Sequence, residues 1–202
     1  MAKSFIVGIA GGSASGKSTF AAALQKALVE GQPPLVVELL NMDRYFLPAE
    51  AGAPTFISPS SGEPRVDRNR PDSADNARLV ADVLQHSSAE DAPDAILIEG
   101  LMTLYVPAIR ELLDLRLFVD LDADVRALRR MLRGRGRNPG DPLSLERLIG
   151  GINYYRESAR VGHNLYVQPS MAFADLIIRG DADVARTAAF IADIVRARVS
   201  GR

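Results

Sequence analysis

The most chemically informative stretch is a glycine-rich loop near the start of the chain. Its residues follow the pattern of Gly, any four residues, Gly, Lys and then Ser or Thr; the segment is Gly11, Gly12, Ser13, Ala14, Ser15, Gly16, Lys17, Ser18 and Thr19. Backbone N–H groups in such a loop hold a polyphosphate, helped by the positive end of the following helix. We expect Lys17 to reach the β- and γ-phosphates, Ser18 to place its hydroxyl on Mg²⁺, and Thr19 to support the first helical turn.

Two acids follow apolar segments that are typical of strands. Residues 35–40 precede Asp43, and residues 95–98 lead directly into Glu99. The carboxyl ends of parallel strands meet at one edge of a sheet, so both acids are expected beside the glycine loop. Asp43 is a candidate base for an attacking hydroxyl, with a turn-forming or capping role as the alternative. Ser18, Glu99 and Asp43 are the candidate Mg²⁺ ligands.

An arginine-rich segment lies in the second half of the chain. Six arginines fall within twelve residues: Arg126, Arg129, Arg130, Arg133, Arg135 and Arg137. A solvated helix face and a nucleic-acid patch are two interpretations. We favour a phosphate clamp, because the basic charge is confined to this place and the glycines around Pro139 make the segment a flap. Such a flap stabilises transferring charge and excludes water.

The elements that position these residues alternate between strand and helix. Apolar runs predict strands over residues 5–10, 35–40, 95–100, 115–120 and 174–179, with helical periodicity between them. This alternation predicts a single α/β domain over residues 1–202. The Pro-, Ser- and Gly-rich stretch 47–72 is predicted to lack regular structure, and it serves either substrate recognition or as a mobile linker.

Composition excludes several classes of protein. The net charge of −1 and pI near 6.1 argue against nucleic acid or an anionic membrane as partner. With no cysteine and two histidines, disulfides and thiolate chemistry are excluded and a zinc site is disfavoured. No apolar run reaches the length of a membrane span, and no signal peptide is recognised, so we expect a cytoplasmic protein. A homo-oligomer is compatible with the sequence.

Taken together, the motifs resemble the uridine kinase and phosphoribulokinase family of P-loop kinases over nearly the whole chain. Besides the loop, the matching segments are residues 43–46, 70–76, 98–100, 117–124, 129–133, 135–137 and 168–178. The resemblance implies a P-loop NTPase fold with three α/β/α layers and a five-stranded parallel sheet in the order 2-3-1-4-5. It also implies an arginine-bearing lid over about 133–142 and a substrate-side loop over about 44–72.

The same resemblance implies roles for individual residues. ATP would be the donor, Mg²⁺ the cofactor, and the hydroxyl of a nucleoside such as uridine or cytidine the acceptor. The residues expected at the nucleotide, besides the loop, are Arg130, Arg133, Arg135 and Arg137. Lys17, Asp43 and Arg133 would be catalytic, with Asp43 as the base. The residues expected at the acceptor are Asp43, Tyr45, Arg70 and Asp72.

The chain departs from the uridine kinase pattern at three places. Residues 87–94 leave no room for the hairpin that recognises the pyrimidine base, the flap between Arg133 and Arg135 is short, and Asn69 replaces an acid expected at the ribose hydroxyls. A kinase of another hydroxylated metabolite, such as nicotinamide riboside, pantothenate or a sugar, is therefore the alternative. A nucleotide-switch protein is disfavoured, because neither Asn-Lys-x-Asp nor Asp-x-x-Gly occurs.

Overall fold

A parallel sheet of five strands forms the centre of the computed structural model, which describes residues 4–133 and 144–201. The strands in chain order are β1 (Phe5–Gly11), β2 (Val37–Asn41), β3 (Thr55–Ile57), β4 (Pro64–Val66), β5 (Ala95–Glu99), β6 (Leu115–Asp120) and β7 (Leu176–Arg179). The sheet has the order β2-β5-β1-β6-β7, whereas β3 and β4 pair separately. If only the strands of this sheet are numbered, in chain order, then β1, β2, β5, β6 and β7 become strands 1 to 5 and the order is the predicted 2-3-1-4-5.

The central strands β1 and β5 form because nearly all of their residues are apolar on both faces. Every residue of β1 and β5 is buried, as expected for parallel strands covered on both sides. Along β1, Val7 and Ile9 enter one hydrophobic core, and Ile6 enters the other. The two cores lie on opposite faces of the sheet, which gives the predicted three-layer α/β/α arrangement.

Helices cover both faces of the sheet. The α-helices are α1 (Lys17–Glu30), α2 (Asn76–Ser88), α3 (Pro107–Arg110), α4 (Ala123–Arg133), α5 (Leu145–Tyr154), α6 (Arg160–Gly162), α7 (Gln168–Ser170) and α8 (Val184–Ser200). α1 and α8 pack on one core through Leu24 and Ile191, and α2 and α3 pack on the other through Leu79 and Ile109. Each such fully buried side chain contributes about 1.5–3 kcal/mol.

The helical segment after α5 has an unusual backbone. Wide π-helical turns span Tyr155–Ala159 and His163–Val167, with α6 between them and α7 after them. His163 therefore lies in a continuous helical stretch. π-Turns occur frequently at functional sites.

The segment between β2 and α2 contains regular structure, which corrects the prediction for residues 47–72. β3 and β4 form an antiparallel hairpin that pairs Thr55 with Val66. 3₁₀ turns at Met42–Tyr45, Ala49–Ala51 and Pro71–Ser73 accompany it. The connection between α2 and β5 contains no strand, as predicted from its length.

Candidate active site

The glycine loop follows β1 and leads into α1, as the sequence predicts. Gly11 and Gly16 have positive φ angles of 149° and 104°, and Ala14, at 67°, shares this left-handed region. A Cβ on Gly11 would collide with the carbonyl oxygen of Val119, so only glycine fits there. Residues 11–19 thus form one curved loop whose end is the N-terminus of α1, the geometry that binds phosphate.

Glu99 is the centre of a buried polar cluster at the end of β5. It is 3% exposed, and its carboxylate accepts hydrogen bonds from Ser18 Oγ at 3.1 Å and Asn41 Nδ2 at 2.9 Å. Lys17 Nζ lies 3.2 Å from the same carboxylate. The motif residues Lys17, Ser18 and Glu99 are therefore brought together as predicted, because β1 and β5 are neighbours in the sheet.

Asn41 is a site residue that the sequence reasoning missed. It ends β2 and lies opposite Glu99 in the strand register. Its Nδ2 donates to Glu99, and its Oδ1 accepts a hydrogen bond of 2.8 Å from the backbone N–H of Asp43. One amide side chain thus connects the acid beside the loop to the turn that carries the candidate base. The signal available in the sequence was its position as the last residue of β2.

An open cavity of about 590 Å³ joins the loop to the segment after β2. Its wall on the loop side consists of Ser13, Lys17, Ser18 and Arg130. The wall formed by the segment after β2 and by Tyr154 of α5 includes Asp43, Phe46, Arg65, Val66, Arg68 and Asn69. The Arg130 guanidinium lies 5.7 Å from the Tyr154 ring centroid. Asp43 is exposed and faces the same space as Lys17 and Ser18. The volume is within the range of small-ligand sites.

Tyr45 does not line this cavity. It is 8% exposed, and its hydroxyl donates a hydrogen bond of 2.8 Å to Asp82. Burial, followed by the carboxylate of Asp82, raises the pKa of Tyr45 to about 12. The next residue, Phe46, occupies the cavity wall instead. The 3₁₀ turn directs Tyr45 into the core, which a motif alone does not reveal.

Arg70 and Asp72, also predicted to contact the acceptor, pair with each other on an exposed turn. Arg70 Nε and Nη2 donate to Asp72 at 2.9 and 2.8 Å, and this contact lowers the pKa of the carboxyl group. Neither side chain lines the cavity, whereas the adjacent Asn69 does. Asn69 is buried, and its Nδ2 donates to Ser158 at 2.7 Å and to Tyr154 at 3.2 Å.

The arginines of α4 have distinct environments. Arg130 lines the cavity and donates a short hydrogen bond to the hydroxyl of Ser13 in the loop. Arg129 donates to the carbonyl of Gly180 at 3.2 Å. Arg133 ends α4, but its side chain, Arg135 and Arg137 lie outside the described part of the chain, as does most of the predicted lid over residues 133–142.

Arg126 is buried rather than part of a flap or a solvated face. It is 5% exposed and donates to the carbonyl of Leu121 and to His163 Nε2, both at 2.9 Å. A Cβ on Gly12 would lie 2.7 Å from its Nη1, so the guanidinium packs against the glycine loop. Burial lowers the pKa of Arg126, and burial together with Arg126 lowers the pKa of His163.

The described residues offer few protein ligands for a metal ion. Within residues 4–133 and 144–201, no three His, Asp or Glu side chains lie close enough to form a metal site. Ser18 and Glu99 nevertheless supply the hydroxyl and carboxylate oxygens that Mg²⁺ prefers, and Mg²⁺ in kinases takes its other ligands from phosphates and water. The donor set therefore fits a nucleotide-bound Mg²⁺.

A parallel sheet with a phosphate loop after its first strand, a buried acid beside that loop and a carboxylate across an open cavity defines a P-loop phosphotransferase. Residues 70–185 match the model of the Phosphoribulokinase / Uridine kinase family. The chain belongs to this family, and it is a kinase of small molecules.

Curated relatives cover most of the chain. A uridine kinase of Clostridium perfringens is 32% identical over 204 residues, which covers 88% of this chain and 88% of the relative. A uridine kinase of Staphylococcus haemolyticus shows the same identity and coverage. A uridine kinase of Clostridium botulinum is 29% identical over 202 residues, covering 88% and 89% of the two chains.

Solved structures share the fold. A possible uridine kinase from Bacillus stearothermophilus has a TM-score of 0.58 at 16% identity, with 88% of this chain and 90% of that chain covered. A protein from Silicibacter sp. TM1040 described as a candidate fructose transport system kinase has a TM-score of 0.60 at 20% identity, with the same coverage.

None of the described helices is long and apolar enough to cross a membrane.

Proposed function

We propose that this chain transfers the γ-phosphoryl group of ATP to a hydroxyl of a small sugar-containing metabolite in the cytoplasm, with Mg²⁺ as cofactor. The observation that carries the proposal is the position of Asp43, which faces the same cavity as Lys17, Ser18 and Arg130. An acceptor hydroxyl beside Asp43 would therefore lie across the cavity from the phosphates held by the loop. Phosphoryl transfer depends mainly on such positioning and on electrostatic stabilisation.

Each residue of the cavity has a role in this proposal. The loop N–H groups and Lys17 hold the β- and γ-phosphates, and Asp43 orients the acceptor hydroxyl and accepts its proton. Arg130 neutralises charge that develops on the transferring group, as Arg133 would from the end of α4. Ser18 and Glu99 would hold Mg²⁺, which neutralises charge between the phosphates when it is bound.

A nucleoside, uridine or cytidine, is the first candidate for the acceptor. The curated relatives named uridine kinase support this choice. A different hydroxylated metabolite is the second candidate, and the strand-free connection between α2 and β5 favours it, because the base-recognising hairpin expected for uridine kinases would lie there. The hairpin β3–β4, whose residues Arg65 and Val66 line the cavity, would then supply the acceptor contacts.

The test is release of ADP from Mg-ATP in the presence of uridine, cytidine, nicotinamide riboside, pantothenate or simple sugars, with Lys17→Ala as control. We expect acceptor-dependent turnover in the wild type and none in Lys17→Ala.

Asp43→Asn should reduce turnover by ~10²–10⁴-fold, as is typical for loss of a general base, with ATP binding nearly unchanged. An equal loss of turnover and ATP affinity would exclude Asp43 as the base, and absence of turnover with every acceptor would favour a nucleotide switch.

A further inference from the structure

The acceptor side of the cavity carries more positive charge than a neutral acceptor requires. Arg65 from β4 and Arg68 from the following turn both line it, and Asp43 is the acid in the same wall. The whole chain has a net charge of −1, so this excess is local. A cavity lined by one sign of charge attracts ligands of the opposite sign.

Neither guanidinium is neutralised within the described part of the chain. Arg65 and Arg68 form no ion pair with any described carboxylate. Glu157 instead accepts hydrogen bonds from Ser58 Oγ at 2.6 Å and the backbone N–H of Ser60 at 3.1 Å. The hydrogen bond from Ser58 is the main reason that the pKa of Glu157 is lowered, and Arg65 contributes least. The two arginines therefore remain available for a ligand.

Aromatic rings of the cavity wall hold both guanidinium groups. The Arg65 guanidinium lies 5.1 Å from the ring centroid of Tyr154, and that of Arg68 lies 5.4 Å from the ring of Phe46. The Tyr154 hydroxyl also accepts from the backbone N–H of Arg68 at 3.3 Å and donates to the carbonyl of Val66 at 3.3 Å. A guanidinium stacked on a ring keeps the N–H groups in its plane for hydrogen bonds to a carboxylate or phosphate.

The nucleotide phosphates already have their own cations. Lys17 and Arg130 lie on the loop side, where Lys17 pairs with Glu99 and Arg130 contacts Ser13. Arg65 and Arg68 belong instead to the segment that begins with Asp43 after β2, which forms the acceptor wall. The two groups meet at the ring of Tyr154, which lies 5.1 Å from the Arg65 guanidinium and 5.7 Å from that of Arg130. We assign Arg65 and Arg68 to the acceptor because they belong to the segment that carries Asp43.

We infer that the acceptor of this kinase is anionic: besides its reacting hydroxyl it carries a carboxylate or a phosphate monoester that Arg65 and Arg68 bind. This inference rests on the proposed function for the location of the hydroxyl, and it names the substrate class of the same site. It distinguishes the chain from a kinase whose acceptor is a neutral nucleoside.

The first experiment compares acceptors that differ in charge but share their hydroxyl. Suitable pairs are pantothenate with pantothenol and fructose 6-phosphate with fructose, with uridine as a neutral nucleoside. We expect kcat/KM for an anionic member to exceed that of its neutral partner by about 10–100-fold, as charge-assisted hydrogen bonds to two guanidinium groups imply. Faster turnover of uridine than of every anionic acceptor would overturn the inference while leaving the proposed kinase activity intact.

A second experiment tests binding without requiring turnover. The loop is saturated with Mg²⁺ and a non-hydrolysable ATP analogue, and the melting temperature is measured with and without millimolar inorganic phosphate in the wild type, Arg65→Gln/Arg68→Gln and Arg186→Gln. Arg186 is an exposed arginine of α8, away from the cavity. General salt stabilisation raises the melting temperature of all three proteins alike.

We expect an additional increase in the wild type and in Arg186→Gln that is absent from the double variant. In turnover assays, Arg65→Gln and Arg68→Gln should each raise KM for an anionic acceptor by about tenfold, while KM for ATP and kcat stay unchanged. Equal phosphate effects in all three proteins would overturn the inference, even if the chain proves to be an active kinase. A raised KM for ATP would assign the arginines to the nucleotide instead and would likewise overturn it.

Discussion

At the scale of single residues, Arg126 is a buried cation that contacts the phosphate loop. It packs on Gly12 and its hydrogen-bond partners, the Leu121 carbonyl and His163, are uncharged or weakly basic. Burial of a charge without an ionic partner is costly, so a compensating role is expected. A bound polyphosphate on the other side of the loop would supply the missing negative charge.

Arg126→Met should therefore separate stability from nucleotide affinity. Methionine fills a similar volume without a charge, so the free energy of unfolding should stay constant or rise. ATP affinity should fall by about tenfold, which corresponds to about 1.4 kcal/mol. Isothermal titration with ATP and urea denaturation measure the two quantities, and Arg186→Met is the matched control. Unchanged ATP affinity would mean that Arg126 has only a structural role.

His163 gives the protein a predictable response to acid. Its pKa is lowered first by burial and second by Arg126, so between the folded-state pKa and 6.5 the unfolded chain binds more protons than the folded chain. Stability should therefore fall as pH decreases below about 6.5, by at most about 1.4 kcal/mol per pH unit from this group.

Replacement of His163 by glutamine should reduce this dependence of stability on pH. Thermal unfolding of wild type and His163→Gln from pH 8 to pH 5 measures it, and the stability of the wild type should fall more steeply with decreasing pH. His86, which contacts Glu38 at 2.8 Å, remains in both proteins and cancels in the comparison. Parallel curves over the whole range would contradict the prediction.

Motif reasoning located the residues of the loop but not every residue of the cavity. Lys17, Ser18 and Glu99 were predicted because their spacing and their places after strands are enough to bring them together. Tyr45 was expected beside the acceptor, yet the 3₁₀ turn buries Tyr45, and Phe46 lines the cavity instead. The direction of a side chain in a tight turn depends on backbone angles that no short motif encodes.

At the scale of elements, the sheet was predictable and the hairpin was not. Strands buried on both faces give continuous apolar runs, and these were recognised at β1, β5 and β6. β3 and β4 have three residues each, none of which is buried, so they lack such a signal. Ser58, directly after β3, donates a hydrogen bond to Glu157 of the π-helical segment Tyr155–Ala159, which is distant in sequence.

Glu157 connects the hairpin to that segment, so its substitution should change KM for the acceptor but not KM for ATP. Glu157→Gln weakens the contacts with the buried Ser58 and with Ser60, so the hairpin and its Arg65 lose a fixed position. We expect KM for the acceptor to rise about three- to tenfold with KM for ATP unchanged, because the loss of a hydrogen bond typically costs about 1 kcal/mol. Limited proteolysis should also cut between β3 and β4 sooner.

Glu146→Gln, on the exposed first turn of α5, is the matched control for this substitution. It changes the same chemical group on the neighbouring helix, and Glu146 forms no hydrogen bond or ion pair with the described residues of the hairpin. Neither KM nor the cleavage rate should therefore change. An equal effect of both variants, or a larger effect of Glu157→Gln on ATP than on the acceptor, would show that Glu157 does not hold the acceptor wall.

At the scale of the whole molecule, the sheet order places three functions at one edge. β1 supplies the loop, β5 the acid and β2 the turn with Asp43, and these strands are consecutive neighbours in the order β2-β5-β1. In open parallel sheets this edge is where ligands bind. The fold class thus explains why residues far apart in the sequence meet.

From the contacts of Glu99 at this edge of the sheet, we expect Mg²⁺ and ATP to bind together. The Glu99 carboxylate contacts Lys17, Ser18 and Asn41, so a lone Mg²⁺ would compete with a lysine for this acid. Mg²⁺ is bound firmly only when several oxygens surround it, and the phosphates of ATP supply them while attracting Lys17.

Thermal unfolding of the full chain tests this coupling. Mg²⁺ alone should leave the melting temperature unchanged, whereas Mg-ATP at one hundred times its Kd should add about 2.7 kcal/mol to the free energy of unfolding. Glu99→Gln should keep stabilisation by ATP but lose the further increase that Mg²⁺ gives. Saturable stabilisation by Mg²⁺ alone would instead reveal a metal site built from protein ligands. The nucleotide would then bind to a preformed metal centre rather than complete one.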